Sequence, residues 1–159
     1  NYWTQYCQQT DRRAKLVLIG PGSVNLPVET SEYFLDLGFV PSQDKYDAYA
    51  AANIFCMPSV NESFSIVIME SWLAGTPVLV HGQCAVTHEH CTKANGGLYF
   101  SNYPEFAATV DYLLANEVTA VTLGQQGRTY VLNNYQWPII TARYSEVIHT
   151  IMAEIKRSK

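Results

Sequence analysis

The stretch 54–80, IFCMPSVNESFSIVIMESWLAGTPVLV, decides the fold class. Two short apolar runs, 54–59 and 77–82, flank a segment, 63–75, whose length and bounding residues are typical of a helix. Continuous apolar runs of this length are typical of parallel strands that are buried on both faces. The order strand, helix, strand therefore predicts a crossover unit of an α/β fold.

The same alternation extends on both sides of this stretch. Strand-length apolar runs are separated by segments of helical length, bounded by proline, glycine, serine or asparagine. Beyond Phe100 three amphipathic helical segments follow. We therefore predict one domain over 1–159, a Rossmann-like doubly wound parallel sheet with C-terminal helices. The further predicted strands are 16–20, 33–40 and 97–100, and the further predicted helices are 42–53, 84–94, 103–114, 117–134 and one that follows Trp137.

The composition indicates an ordered protein and limits the kinds of partner and cellular compartment that we expect for it. The chain has 159 residues, of which 48% are hydrophobic and 15% charged, so it is not a disordered chain. Its net charge of −4 argues against a nucleic-acid partner. The four cysteines form no CxxC pair, and we expect reduced thiols in the cytoplasm. Because the sequence begins with Asn1, we also expect it to be part of a longer polypeptide.

The loop after the run 54–59 carries the candidate site. In open α/β sheets ligands bind at the carboxyl ends of strands. Here polar residues lead into a helix, whose first backbone amides, near Ser63 to Ile66, suit phosphate or sugar oxygens. Glu62 precedes that helix and Glu70 lies within it, at most roughly 12 Å apart along the axis. Ionised carboxylates accept hydrogen bonds from the hydroxyls of a sugar and of a ribose.

Two simpler interpretations of these acids are open. Glu62 could serve only to stabilise the helix, since an acidic residue near a helix start interacts favourably with the helix dipole, and Glu70 could face solvent. However, Glu70 lies in a helix that is apolar on most sides, and a buried carboxylate needs a donor from the protein or from a ligand. Gly20 and Gly22 could admit a ligand close to the backbone, but the GxGxxG fingerprint is incomplete, so a plain turn is equally consistent.

No metal or cofactor is predicted. The cysteines and histidines between Cys84 and Cys91 lack the two-pair spacing of a structural zinc site, and a helix would spread them around its axis.

These motifs together resemble a known family. The Glu-x7-Glu pair Glu62 and Glu70, the GTPV segment 75–78 and the NGGLYF segment 95–100 are similar to the C-terminal domain of the group 1 (family four) glycosyltransferases of the GT-B fold. The upstream segments KLVLIGPG and LGFVPSQD and the segment around Trp137 fit the same pattern, so the resemblance covers nearly the whole chain.

The resemblance implies transfer of a sugar from a nucleotide diphosphate sugar, with retention and without a required metal, in a process such as polysaccharide biosynthesis. It implies that Glu62 is the catalytic-site acid that binds hydroxyls of the transferred sugar. It implies that Glu70 binds the ribose diol. It also implies that sugar and phosphate oxygens contact the amides of Ser63, Phe64, Ser65 and Ile66. The diphosphate would lie close to Gly20 and Gly22. The base would contact the backbone near Phe39 and Val40.

Two departures from the family pattern shape the expectations. Ser65 stands where the family usually has glycine, which places a side chain beside the donor. The family's diphosphate-clamping Arg and Lys, and its acceptor domain, would precede this sequence; Arg12, Arg13 and Lys15 lie at the wrong end of the first strand to replace them. The resemblance therefore implies an N-terminal domain of the same chain as partner, peripheral membrane association of the full-length protein, and no transfer by residues 1–159 alone.

Two other classes share these features. A nucleotide-sugar epimerase of GT-B-like fold would have the same sheet and nucleotide pocket but act on the sugar itself. A nucleotide-binding module without chemistry would keep only the pocket.

Overall fold

The computed structural model describes residues 2–10, 14–22, 24–25 and 28–157. In these ranges strands alternate with helices up to residue 100, and helices follow, as predicted. The strands are β1 (Leu16–Leu18), β2 (Phe34–Asp36), β3 (Phe55–Met57), β4 (Val78–His81) and β5 (Gly97–Phe100). The helices are α1 (Tyr2–Gln9), α2 (Ser42–Ala51), α3 (Ile66–Leu73), α4 (Ala85–Ala94), α5 (Tyr103–Ala115), α6 (Glu117–Asn134) and α7 (Trp137–Arg157), with a 3₁₀ helix at Val28–Tyr33.

Every strand pairing among the described residues is parallel, which confirms the predicted fold class. The strands form two sheets rather than one continuous sheet: β1 pairs with β2, and β4 lies between β3 and β5. Val78 is opposite Phe55 on one side and Gly97 on the other. The carboxyl ends of β3 and β4 therefore lie side by side, and so do those of β1 and β2.

The core lies on both faces of the larger sheet. Successive side chains of β4 point to opposite faces, so Val78 and Val80 pack into one layer and Leu79 into the other, and all three are fully buried. The first layer contains Ile68, Met69, Trp72, Cys91, Ala94 and Val131. The second layer contains Tyr6, Cys7, Phe100, Phe106 and Val110.

The backbone of α6 packs directly against α3 and the turn that follows it. A Cβ atom at Gly124 would overlap the carbonyl oxygen of Gly75, and one at Gly127 would overlap the ring of Trp72. The Trp72 ring is fully buried, and its Nε1–H donates a 2.8 Å hydrogen bond to the carbonyl oxygen of Gly96. These contacts fix α3, the helix that follows the candidate site, against the rest of the domain.

The predicted apolar stripes of the C-terminal helices have different outcomes. The stripe on α5 is buried, with Phe106, Val110 and Leu113 in the core. The stripe on α7 is present, but the structure buries no residue of this helix. In the described ranges, no helix combines the length and the apolar content needed to cross a bilayer.

Candidate functional site

An open cavity of about 650 Å³ lies between the loops that follow β3 and β4. Because these strands are parallel neighbours, their carboxyl ends bring the two loops together. The predicted residues Glu62 and Ser63 both line this cavity. The full lining is Val60, Asn61, Glu62, Ser63, Gln83, Cys84, Ala85 and Val86.

Cys84 ends the β4 loop at the edge of the same cavity and is 1% exposed. Burial raises the pKa of its thiol, but the polar groups of Thr87, Val86 and Glu62 around the sulfur lower the pKa by more, so it lies below its ordinary value. Among the described residues, no three His, Cys, Asp or Glu side chains are grouped so that they could hold a metal ion.

The loop enters α3 through a left-handed residue. Ser65 has φ 63° and ψ 66°, so the helix begins at Ile66, and the predicted start at residue 63 is wrong. The Ile68 amide donates a 3.1 Å hydrogen bond to the carbonyl oxygen of Ser65. The amides of Ile66 and Val67 precede it in the first turn and have no intrahelical acceptor, which leaves them available to an anionic group.

The hydroxyl of Ser65 is buried without a partner. Ser65 is 6% exposed, and its Oγ has no hydrogen bond to any described residue. A buried unpaired hydroxyl and a left-handed conformation at a residue other than glycine both destabilise the protein.

We expect Ser65→Gly to raise the free energy of unfolding by about 1 kcal/mol and the melting temperature by about 2–4 °C. Glycine removes the buried unpaired hydroxyl and adopts the left-handed conformation without strain. Part of this gain is lost because glycine makes the unfolded chain more flexible. Differential scanning fluorimetry measures the change. The matched control is Asn95→Gly. Asn95 is the second left-handed residue other than glycine in the described ranges, and its side-chain amide donates to Gln126 Oε1, so the substitution should give no gain. A lower melting temperature for Ser65→Gly would contradict this interpretation.

The Phe64 ring is partly exposed and contacts two other rings. Its ring lies 5.2 Å from that of His90 and 5.3 Å from that of Tyr135, while His90 Nδ1 is 3.1 Å from Tyr130 Oη. Burial lowers the pKa of His90 and raises the pKa of Tyr135 to about 12, so both rings are neutral at pH 7. The contact of the Phe64 backbone with a ligand, which the resemblance implies, stays a prediction.

Glu70 obtains its hydrogen-bond donors from α2. Lys45 Nζ lies 2.8 Å from Oε1 and 2.9 Å from Oε2 of Glu70, and the hydroxyls of Tyr46 and Tyr49 lie 3.4 Å and 3.3 Å from the same carboxylate. The hydrogen bond to Glu70 raises the pKa of Lys45. Burial, followed by the charge of Glu70, raises the pKa of Tyr49.

The sequence interpretation missed Lys45, Tyr46 and Tyr49. Lys45 and Tyr49 are four residues apart and so lie on one face of α2. That spacing was the available signal, but it does not show that the face meets Glu70.

The loops after β1 and β2 are joined to each other. The Gly20 amide donates a 2.9 Å hydrogen bond to the Gly38 carbonyl oxygen, next to Phe39, whose ring is 82% exposed. A Cβ atom at Gly20 or Gly22 would meet no atom within 4 Å, so both predicted glycines border open space.

The remaining predicted residues lie apart from the cavity lining. Phe39 and Val40 lead directly into α2, which carries Lys45. Ile66 is exposed at the first position of α3. Arg12 and Arg13 lie outside the described residues, and Lys15 directly precedes β1 at its amino end.

Comparison with known proteins gives a family match over most of the chain. The sequence profile described as "Glycosyl transferases group 1" matches residues 2–116.

Curated relatives are similar over most of the chain. An uncharacterised glycosyltransferase of Methanocaldococcus jannaschii is 29% identical over 152 residues, which is 91% of this chain and 39% of the relative. A GDP-mannose-dependent monoacylated alpha-(1-6)-phosphatidylinositol monomannoside mannosyltransferase of Corynebacterium glutamicum is 26% identical over 150 residues, 86% of this chain and 39% of the relative. The chain therefore spans about two fifths of the length of these relatives.

Solved structures share the fold. Sucrose-phosphate synthase of Thermosynechococcus elongatus matches with a TM-score of 0.76 and 22% identity, over 96% of this chain and 42% of that one. HepE of Anabaena in complex with UDP-glucose matches with a TM-score of 0.77 and 16% identity, over 94% of this chain and 44% of that one. At these identities the similarity establishes the fold.

Proposed function

The chain belongs to the group 1 glycosyltransferase family, and from that premise we propose that it is the donor-binding domain of an enzyme that transfers a sugar from a nucleotide diphosphate sugar to an acceptor, with retention. The observation that carries this proposal is that Glu62 and Ser63 line the cavity in the loop that leads into α3, whose first amides have no intrahelical acceptor. A carboxylate and backbone donors at one place match a ligand that presents hydroxyls and an anionic diphosphate together.

The sugar half of the ligand would lie in the cavity between the β3 and β4 loops. There Glu62 would accept hydrogen bonds from its hydroxyls, and the backbone of Ser63, Phe64 and Ser65 would contact sugar and phosphate oxygens. The amides of Ile66 and Val67 would face the diphosphate, where negative charge grows as the bond to the sugar breaks. Donors that are already in place stabilise such a leaving group without reorganisation, and we propose that no metal or cofactor is needed.

The nucleotide half would lie along the β1 and β2 loops. The open space at Gly20 and Gly22 suits close approach of the diphosphate, and the backbone near Phe39 and Val40 would contact the base. Glu70 would bind the ribose diol. In support, HepE of Anabaena has been solved with UDP and with UDP-glucose, and the C. glutamicum relative uses GDP-mannose, so the base itself is left open.

We propose that the acceptor site lies in a further domain of the same polypeptide, because the relatives are more than twice as long as the match. Two relatives are named for lipid products or substrates, which supports peripheral membrane association of the full-length enzyme. Four unpaired thiols support a cytoplasmic location.

The test is a thermal-shift screen of the chain against UDP, GDP, ADP and their sugar conjugates. A ligand that binds only the folded state at a hundred times its Kd stabilises the protein by about 2.7 kcal/mol, which corresponds to a rise in melting temperature of about 5–10 °C. We expect one base to give such a shift and Glu70→Gln to reduce it. No shift with any diphosphate at millimolar concentration would refute the proposed function.

A further inference from the structure

The carboxylate of Glu70 has no free acceptor position in this structure. An ionised carboxylate offers about four lone-pair sites. Lys45 Nζ contacts both oxygens, Tyr46 Oη contacts Oε1, and Tyr49 Oη contacts Oε2. A ribose diol therefore reaches Glu70 only if one of these donors leaves.

Lys45 is the donor that is best placed to leave. Its side chain is 31% exposed, whereas that of Glu70 is 16% exposed, so the ammonium lies on the solvent side of the pair. Tyr49 is 8% exposed and belongs to the core, and its carbonyl oxygen accepts a 2.6 Å hydrogen bond from Thr76 Oγ1. The four-carbon stem of lysine is flexible, so its ammonium reaches a new partner without movement of α2.

Charge favours the same exchange. A diphosphate that lies near both Glu62 and Glu70 is repelled by two carboxylates. Lys45 is the cation that the structure pairs with Glu70, and the hydrogen bond to the carboxylate raises the pKa of its ammonium further above neutral pH. The Tyr46 ring, whose centroid lies 5.0 Å from the ammonium, also favours a cation at this position.

We propose that Lys45 exchanges partners when a nucleoside diphosphate binds: the ribose diol replaces the ammonium at Glu70, and the ammonium pairs with the diphosphate of the same ligand. The exchange rests on the proposed function. It makes Lys45 a residue that discriminates against ligands without phosphate, since a nucleoside must displace the ammonium from Glu70 and offers no anion in return.

The test measures two ligands with the same base, the nucleoside and its diphosphate, by isothermal titration calorimetry. The base is the one preferred among UDP, GDP and ADP. In Lys45→Met, Glu70 is unoccupied for both ligands, so we expect the nucleoside to bind more tightly, whereas the diphosphate also loses a charge-assisted hydrogen bond. The ratio of diphosphate affinity to nucleoside affinity should therefore fall about tenfold. The control Lys93→Met removes an exposed lysine that pairs with Glu89 at 2.6 Å, and it should change neither affinity.

The outcomes separate the two proposals. If both affinities fall together in Lys45→Met, or if neither changes, Lys45 only positions Glu70 and the exchange is refuted while the proposed function stands. If the unmodified chain binds neither ligand, the proposed function itself fails. Should Lys45→Met not fold, Lys45→Gln tests the diphosphate contact: its neutral amide still donates to Glu70 but cannot pair with a diphosphate as a cation, so diphosphate affinity should fall and nucleoside affinity should not.

Discussion

Replacing Trp72 with alanine is expected to lower the free energy of unfolding by about 3–5 kcal/mol. The ring is fully buried against Gly127, and Tyr130 packs on it with ring centroids 5.9 Å apart. Removal of the ring leaves a cavity between α3 and α6 and also leaves the Gly96 carbonyl oxygen without its 2.8 Å donor. Chemical denaturation followed by circular dichroism measures the loss.

A matched control is available in the same chain. Trp137 is 77% exposed on α7, so Trp137→Ala should change stability by no more than about 0.5 kcal/mol. Trp72→Phe keeps most of the ring but loses the hydrogen bond, and it should fall between the two. A loss below about 1 kcal/mol for Trp72→Ala would show that α3 is not anchored through this contact.

Replacing Glu62 with glutamine is expected to slow sugar transfer by the enzyme that contains this chain about 10²–10³-fold. Hydrogen bonds to sugar hydroxyls that strengthen in the transition state contribute several kcal/mol, and glutamine keeps the shape of the side chain but not its charge. Steady-state kinetics give the loss in kcat/KM, and calorimetry with the nucleoside diphosphate gives a Kd that should stay within about twofold, since Glu62 is assigned to the sugar and not to the nucleotide.

Glu89 provides the control for charge alone. It is an exposed acid on α4 that pairs with Lys93, so Glu89→Gln removes one negative charge away from the cavity and should leave transfer unchanged. If Glu62→Gln retains transfer within about threefold of the unmodified enzyme, Glu62 does not contact the reacting sugar.

The sequence predicted the strands and helices well because their signals are local. The segment 117–134 has the bounds of α6, and each predicted strand contains an observed one. The start of α3 was missed by three residues, because the conformation of Ser65 is imposed by the loop and leaves no mark in the apolar pattern. The division into two sheets also depends on long-range hydrogen bonds.

The candidate site was predictable only in part. Glu62 and Ser63 were found because the carboxyl ends of strands can be located from sequence, and both line the cavity. The need of Glu70 for a donor followed from the apolar helix around it. Its partner Lys45 lies 25 positions away in the sequence, and no local pattern reports such a pairing. The roles implied by the resemblance for these residues stay predictions.

The two glycines of α6 link stability to ligand affinity. Gly124 and Gly127 set how closely α6 approaches α3, and α3 holds both Glu70 and the turn at Ser65. Neither glycine lines the cavity. A bulkier residue at either position would force α6 away from its neighbours, so in a mutational survey these positions would rank with the ligand contacts. In evolution, variation of Gly127 would be coupled to that of Trp72.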